Sequence, residues 1–282
     1  MIGEYYLVGR SGMMLTSSHI LATWRSGVRG RSFHAVFALG IMLLLCAWLA
    51  ASFSARQPQA VALDVGLSGI RIGLTLLSLM WVQELVSKEI DRRTVFFVLA
   101  YPAPRASYLL GRYLGVMALA TAATILLGVT LALIVRLAGG DYQQIHSTLI
   151  GWPYVASLAM ILLDIALVTA FAFCLASFAT SALLPLTLGF GFAIGARALG
   201  PVIDFLARGA DGDPEFAARY SPIINMVRWF LPDLDRLDLR TWPLYGVAPE
   251  WEAVALAALA ALVYTGMLLG IAVAAFNRRT FA

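Results

Sequence analysis

The chain has 282 residues, of which 61% are hydrophobic and 13% charged, whereas a soluble domain is about half apolar and a quarter charged. That balance excludes an ordinary soluble protein and makes the lipid bilayer the first expected partner. A formal net charge of +4 is no more than a membrane protein's basic loops supply, so nucleic acid is not an expected partner.

Residues 1–13 carry no strong pattern. Over residues 14–31, Ile20, Leu21, Trp24 and Val28 recur at helical spacing while Ser18, Arg25 and Arg29 fall outside their arc, which predicts an amphipathic helix lying in the membrane interface. Residues 35–55 form a run of 21 uncharged residues, enough to cross about 30 Å of hydrocarbon. No small-residue cleavage pattern follows this run, so a removable signal peptide is not expected.

A short outer turn is predicted at 57–64, around Pro58, and a second span at 65–83 that holds Arg71. Residues 88–112 mix five basic side chains with an apolar centre. The third span is expected at 113–135 and an outer loop at 137–152. The fourth, at 153–180, holds Asp164, and the fifth, at 182–203, holds Arg197. A polar outer segment occupies 207–250, and an uncharged sixth span 253–276 ends at Arg278 and Arg279.

The prediction is an all-α, polytopic single domain over 1–282 with six transmembrane helices and both termini cytoplasmic. Eleven of the 20 Lys and Arg then fall inside and seven outside, with Arg71 and Arg197 within spans, as the positive-inside rule requires. In the outer segment, Phe216, Tyr220, Ile223, Val227 and Phe230 are spaced by three and four. Residues 215–231 can thus form an amphipathic helix that caps a pathway, lies on the outer leaflet or binds a periplasmic partner.

Catalytic chemistry lacks its residues. A P-loop places a lysine directly after glycine, but the one lysine, Lys88, follows Val86 and Ser87. His19, His34 and His146 form no HExxH pair, there is no Cys/His ligand spacing and no Gly-x-Ser-x-Gly elbow, so no enzyme, metal or cofactor site is expected. Cys46 and Cys174 lie in apolar runs and read as small buried hydrophobes.

Charges within spans are costly and call for a role. Arg71, Asp164 and Arg197, joined by Asp204 near the end of the fifth span, are expected to face a polar interior and pair with one another, lining a pathway or fixing helix packing. Gly69 and Gly73 flank Arg71, Gly191 and Gly195 precede Arg197, and Gly111 and Gly115 open the third span. Such spacing allows close helix approach and marks the second and fifth spans as candidate moving walls.

The order of residues after the second span resembles the signature of the type-2 permease family of ATP-binding-cassette (ABC) transporters. It comprises Glu89, Arg93 and Thr94, the apolar run from Val95 to Leu99, then Pro102, Arg105, and Gly111, Arg112 and Tyr113. The stretch LPDLDRLDLR at 231–240 is similar to permeases grouped with multicopper-enzyme maturation. Arg93 stands where many members have glycine, and Arg112 where many have lysine.

The resemblance implies a cytoplasmic coupling helix near 92–101 that enters a groove on a separate ATPase subunit. Phe96, Phe97 and Leu99 would be buried there, Glu89, Arg92, Arg93 and Arg105 would set orientation, and Pro102 would end the helix. It further implies a dimer of permease chains and two ATPase subunits that bind ATP and Mg, exporting a substrate across a bacterial inner membrane; a periplasmic accessory protein is a further partner only in the reading of the outer segment as a binding surface. Two other classes stay open: an ion-coupled secondary transporter with a broken fifth helix, and a membrane scaffold or sensor for a periplasmic partner.

Overall fold

A computed structural model describes residues 20, 23–24, 31–54, 57–87, 105–138, 148–179, 181–207 and 232–278. Every regular element among them is helical. The long helices are α1 (Arg31–Phe53), α2 (Pro58–Val82), α3 (Arg105–Leu137), α4 (Trp152–Phe178) and α5 (Leu184–Ala207), then, after a short helix α6 (Thr241–Tyr245), α7 (Trp251–Arg278). A π-turn, Gln83–Ser87, prolongs α2, and a 3-10 turn, Leu234–Leu237, precedes α6.

Four of these helices are long and apolar enough to cross a membrane: Pro58–Ser87, Arg105–Leu137, Trp152–Phe178 and Trp251–Arg278. The apolar part of α1, Ala38–Phe53, is shorter. The chain is therefore a helical membrane protein.

Two boundaries differ from the sequence reading. The 57–64 stretch is not an outer turn: α2 starts at Pro58, since a proline in the first turn loses no helical bond and its fixed φ suits the helix. Likewise α3 starts at Arg105 rather than 113, so the end of the expected cytoplasmic stretch is already helix. Of the interfacial helix expected at 14–31, Ile20, Thr23 and Trp24 are described and helical. The remainder of 14–30, the coupling stretch 88–104 and the amphipathic stretch 215–231 lie outside the described residues.

Helix α2 is the centre of the bundle, packing on α1, α3, α4 and α5, while α7 lies along α4. The glycines of α2 make the close approach possible, because lipid offers no hydrophobic drive to pair helices and tight contact has to supply it. A Cβ at Gly69 or Gly73 would strike Leu43 or Leu39 of α1, and one at Gly66 would strike Leu131 of α3. By contrast, Gly191 and Gly195 on α5 have nothing within 4 Å among the described residues, so that expected small-residue contact is not made by them. Rings fill the end opposite Pro58: Tyr108 stacks on Phe276 at 5.9 Å, and Tyr113 meets Phe173 edge-on at 5.6 Å.

Candidate functional site

On α2, Asp64, Ser68, Arg71, Thr75 and Ser78 follow each other at steps of four, three, four and three, which puts them on one face. On α4, Ser157 and Asp164 are two turns apart on one face. These stripes meet beside Arg197 of α5, and Thr75, Ser78 and Asp164 are wholly buried. Buried polar groups in such a setting are retained only with partners.

Asp164 is the hub. Its Oδ2 accepts from Arg71 Nε at 2.7 Å and from Arg197 Nε at 3.0 Å. Arg197 Nη2 also donates to Thr75 Oγ1 at 2.7 Å, and that hydroxyl donates back to the Arg71 carbonyl at 2.6 Å. Three helices are thereby tied by one carboxylate and two guanidinium groups, leaving a positive charge over.

The balancing charge comes from the segment after α5. Leu234, Leu237 and Leu239 are buried, so this part of the outer segment is folded into the helix bundle. Arg71 Nη1 donates to Asp238 Oδ2 at 2.8 Å, and its Nη2 donates to the Leu234 carbonyl at 2.8 Å. Asp238 is held on its own segment by Arg240, whose Nε lies 2.9 Å and 2.8 Å from its two oxygens. Arg240 in turn reaches Ser68 and, at 3.3 Å, Asp64.

Local geometry keeps the inserted turn in shape. Asp233 caps it, accepting from the Asp235 amide at 3.2 Å, and Ser157 donates to the Leu239 carbonyl at 3.2 Å. Gly200 of α5 lets the turn come close: a Cβ there would lie 2.9 Å from Asp233 Oδ1 and 3.0 Å from Asp235 Cβ. After α6, Gly246 takes φ of 73°, a left-handed conformation for which glycine has no steric cost. A cavity of about 390 Å³ lies between this turn and α7, lined by Asp233, Leu234, Arg236, Leu256 and Tyr264 among others.

Asp238 and Asp235 are shifted in opposite directions. Burial pushes Asp238 up, but the Arg240 hydrogen bonds and the charges of Arg71 and Arg240 outweigh it and hold the carboxyl below its ordinary value. Burial raises Asp235, and the neighbouring charges of Asp233 and Asp238 raise it further.

Arg71, Asp164 and Arg197, all singled out from sequence, are thus brought together. Asp204 lies on α5, but its side chain is outside the described residues. Asp238, Arg240 and Thr75 were missed; the polar period along α2 was the available signal for Thr75. Among the docking candidates, Glu89, Arg92, Arg93, Thr94, Phe96, Phe97, Leu99 and Pro102 lie outside the described residues. Arg105 is exposed and donates to the Asn277 carbonyl at the end of α7, 3.2 Å away.

Arg112, expected on the cytoplasmic stretch, is instead buried, donating to Thr23 Oγ1 at 3.2 Å. Its guanidinium also lies 5.5 Å from the Tyr108 ring centre.

Among the described residues no group of three or more His, Cys, Asp or Glu could hold a metal ion, and both cysteines are free. The cluster offers no nucleophile with a base. Its chemistry is that of a buried network of ion pairs. No family model matches this chain, and no curated protein matches it.

Proposed function

We propose that this chain is the permease subunit of an ATP-driven exporter of the ABC type, dimeric and served by two cytoplasmic ATPase subunits in a bacterial inner membrane. In this reading α1 and α5 complete a set of six spans, and the Lys88 end of the bundle faces the cytoplasm. The observation that carries it is the continuity of α2: a single helical rod, Pro58–Ser87, bears the Arg71 lock and leads straight into the Lys88 stretch. That stretch bears the signature resembling the coupling helix.

Movement imposed on residues 88–104 by closing ATPases would be transmitted along α2. The π-turn at its end, Gln83–Ser87, is a common form at functional sites. Shifting α2 against α4 and α5 strains the bonds of Arg71 to Asp164 and Asp238 together, so an event at one membrane face alters the turn at the other. A rigid element with two arrangements is what such coupling requires.

The secondary-transporter alternative needs a broken helix near Arg197. Helix α5 is instead helical throughout Leu184–Ala207, Pro201 included, which lends that alternative less support. The test is co-purification. Phe96→Asp and Arg93→Glu are each expected to leave membrane insertion intact and to remove the ATPase subunit from the purified complex; normal association in both variants would sink the assignment.

A further inference from the structure

We infer that Arg71, supported by Arg197, is an oxyanion-binding site which the turn bearing Asp238 fills with its own oxygens in this conformation. The inference deepens the permease reading by giving the cargo, or the charged part of it, a carboxylate or phosphate group.

The argument starts from charge. Arg71 is 7% exposed and Asp164 0%, and together with Arg197 they carry two positive charges against one negative. Asp238 supplies the second negative charge from a connecting turn rather than from a span. A buried guanidinium without its counter-charge is strongly unfavourable, so whatever displaces the turn has to bring an anion.

Geometry narrows the ligand. Nε of Arg71 is committed to Asp164, while Nη1 and Nη2 each meet an oxygen at 2.8 Å, one from the Asp238 carboxylate and one from the Leu234 carbonyl. Two parallel N–H donors on one guanidinium edge are the fork that a single carboxylate or phosphate accepts bidentately. Two residues of the turn thus stand where one oxyanion would suffice.

The exchange is also asymmetric. Asp238 has a partner that travels with it, because Arg240 holds both its oxygens. If the turn moves out, its carboxylate stays paired with Arg240, which gives up Ser68 and Asp64 of α2, and Arg71 loses two of its three bonds. Leu234, whose carbonyl is one of those bonds, also lines the cavity of about 390 Å³ between the turn and α7.

The test uses the purified full-length chain in neutral detergent, without any ATPase, so that its failure is distinct from failure of the permease reading. Inorganic phosphate and acetate are titrated against thermal unfolding, with chloride matching ionic strength. Asp238→Asn frees the site from its internal competitor and is expected to tighten apparent phosphate or acetate binding about tenfold over the unaltered chain, since occupancy by the turn lowers apparent affinity. Adding Arg71→Gln to it is expected to abolish saturable binding.

Leu237→Ala, which loosens the turn and leaves every charge in place, is expected to give a gain of the same sign. In discs of phosphatidylcholine, a gain produced by added phosphatidylglycerol assigns a lipid headgroup, and one produced only by free phosphate assigns a soluble anion. Equal anion responses in Asp238→Asn with and without Arg71→Gln, or no gain in either loosened variant, overturn the inference.

Discussion

Replacing Asp164 by Asn keeps the shape of the hub and removes its charge, leaving Arg71 and Arg197 facing each other with Asp238 as the carboxylate still bonded to Arg71. Breaking a buried pair in this way costs about 3–5 kcal/mol. Arg197→Gln is milder, because Asp164 keeps Arg71 at 2.7 Å, and the loss of charge-assisted hydrogen bonding comes to about 1.5–3 kcal/mol. The double variant removes both members of one pair, so its cost falls short of the sum by about 0.5–3 kcal/mol. Unfolding in mixed micelles, followed by tryptophan fluorescence, measures all three. If the two single effects simply add to within about 0.5 kcal/mol, Asp164 and Arg197 are not energetically joined, and the lock described for the bundle does not exist.

Gly200→Val places a branched side chain where even a Cβ would sit 2.9 Å from Asp233 Oδ1; the turn should be displaced, seen as increased labelling of a cysteine placed at Arg236, with the helix content by circular dichroism unchanged. Acidification gives a second check. Asp238, with its folded pKa depressed, contributes stability that is present above the ordinary carboxylate value of about 3.9 and is lost as pH falls through the folded value. Asp235, with its pKa raised, contributes the opposite way: its stabilisation is complete below about 3.9 and is lost as pH rises through the folded value. Thermal unfolding across this range should therefore lose its acid limb in Asp238→Asn and flatten on the higher-pH side in Asp235→Asn; identical profiles for both variants and the unaltered chain would contradict the assignment.

What could be read from the sequence follows the physics of the bilayer. Long uncharged runs announce helices, and a charge inside such a run announces a partner, so Arg71, Asp164 and Arg197 were accessible as a group. The 57–64 stretch was misplaced because Pro58 and Asp64 read as loop residues. Proline belongs equally to a helix's first turn, and Asp64 has Arg240 to meet. The polar period through Thr75 and Ser78 was legible but overshadowed by the single arginine within it.

The partnership of Asp238 with Arg71 was not legible from its own position in the sequence. A charge in a connecting segment is ordinarily solvated, and only the tertiary fold brings it across 167 positions of sequence to Arg71. The buried leucines between the charges, Leu234, Leu237 and Leu239, were the faint sign that the segment turns inward. Glycines divided in the same way: Gly69 and Gly73 pack as their spacing suggests, whereas Gly191 and Gly195 meet no neighbour among the described residues, because spacing alone does not say which side of a helix its neighbours occupy.

The central claim is that this chain works with a separate ATPase, and affinity purification in mild detergent from the native host tests it most directly. The eluate should contain a P-loop subunit in stoichiometric amount, with vanadate-sensitive ATP hydrolysis that disappears with Phe96→Asp. A homogeneous preparation free of any ATPase, and still free of it after crosslinking in the membrane, would contradict the account.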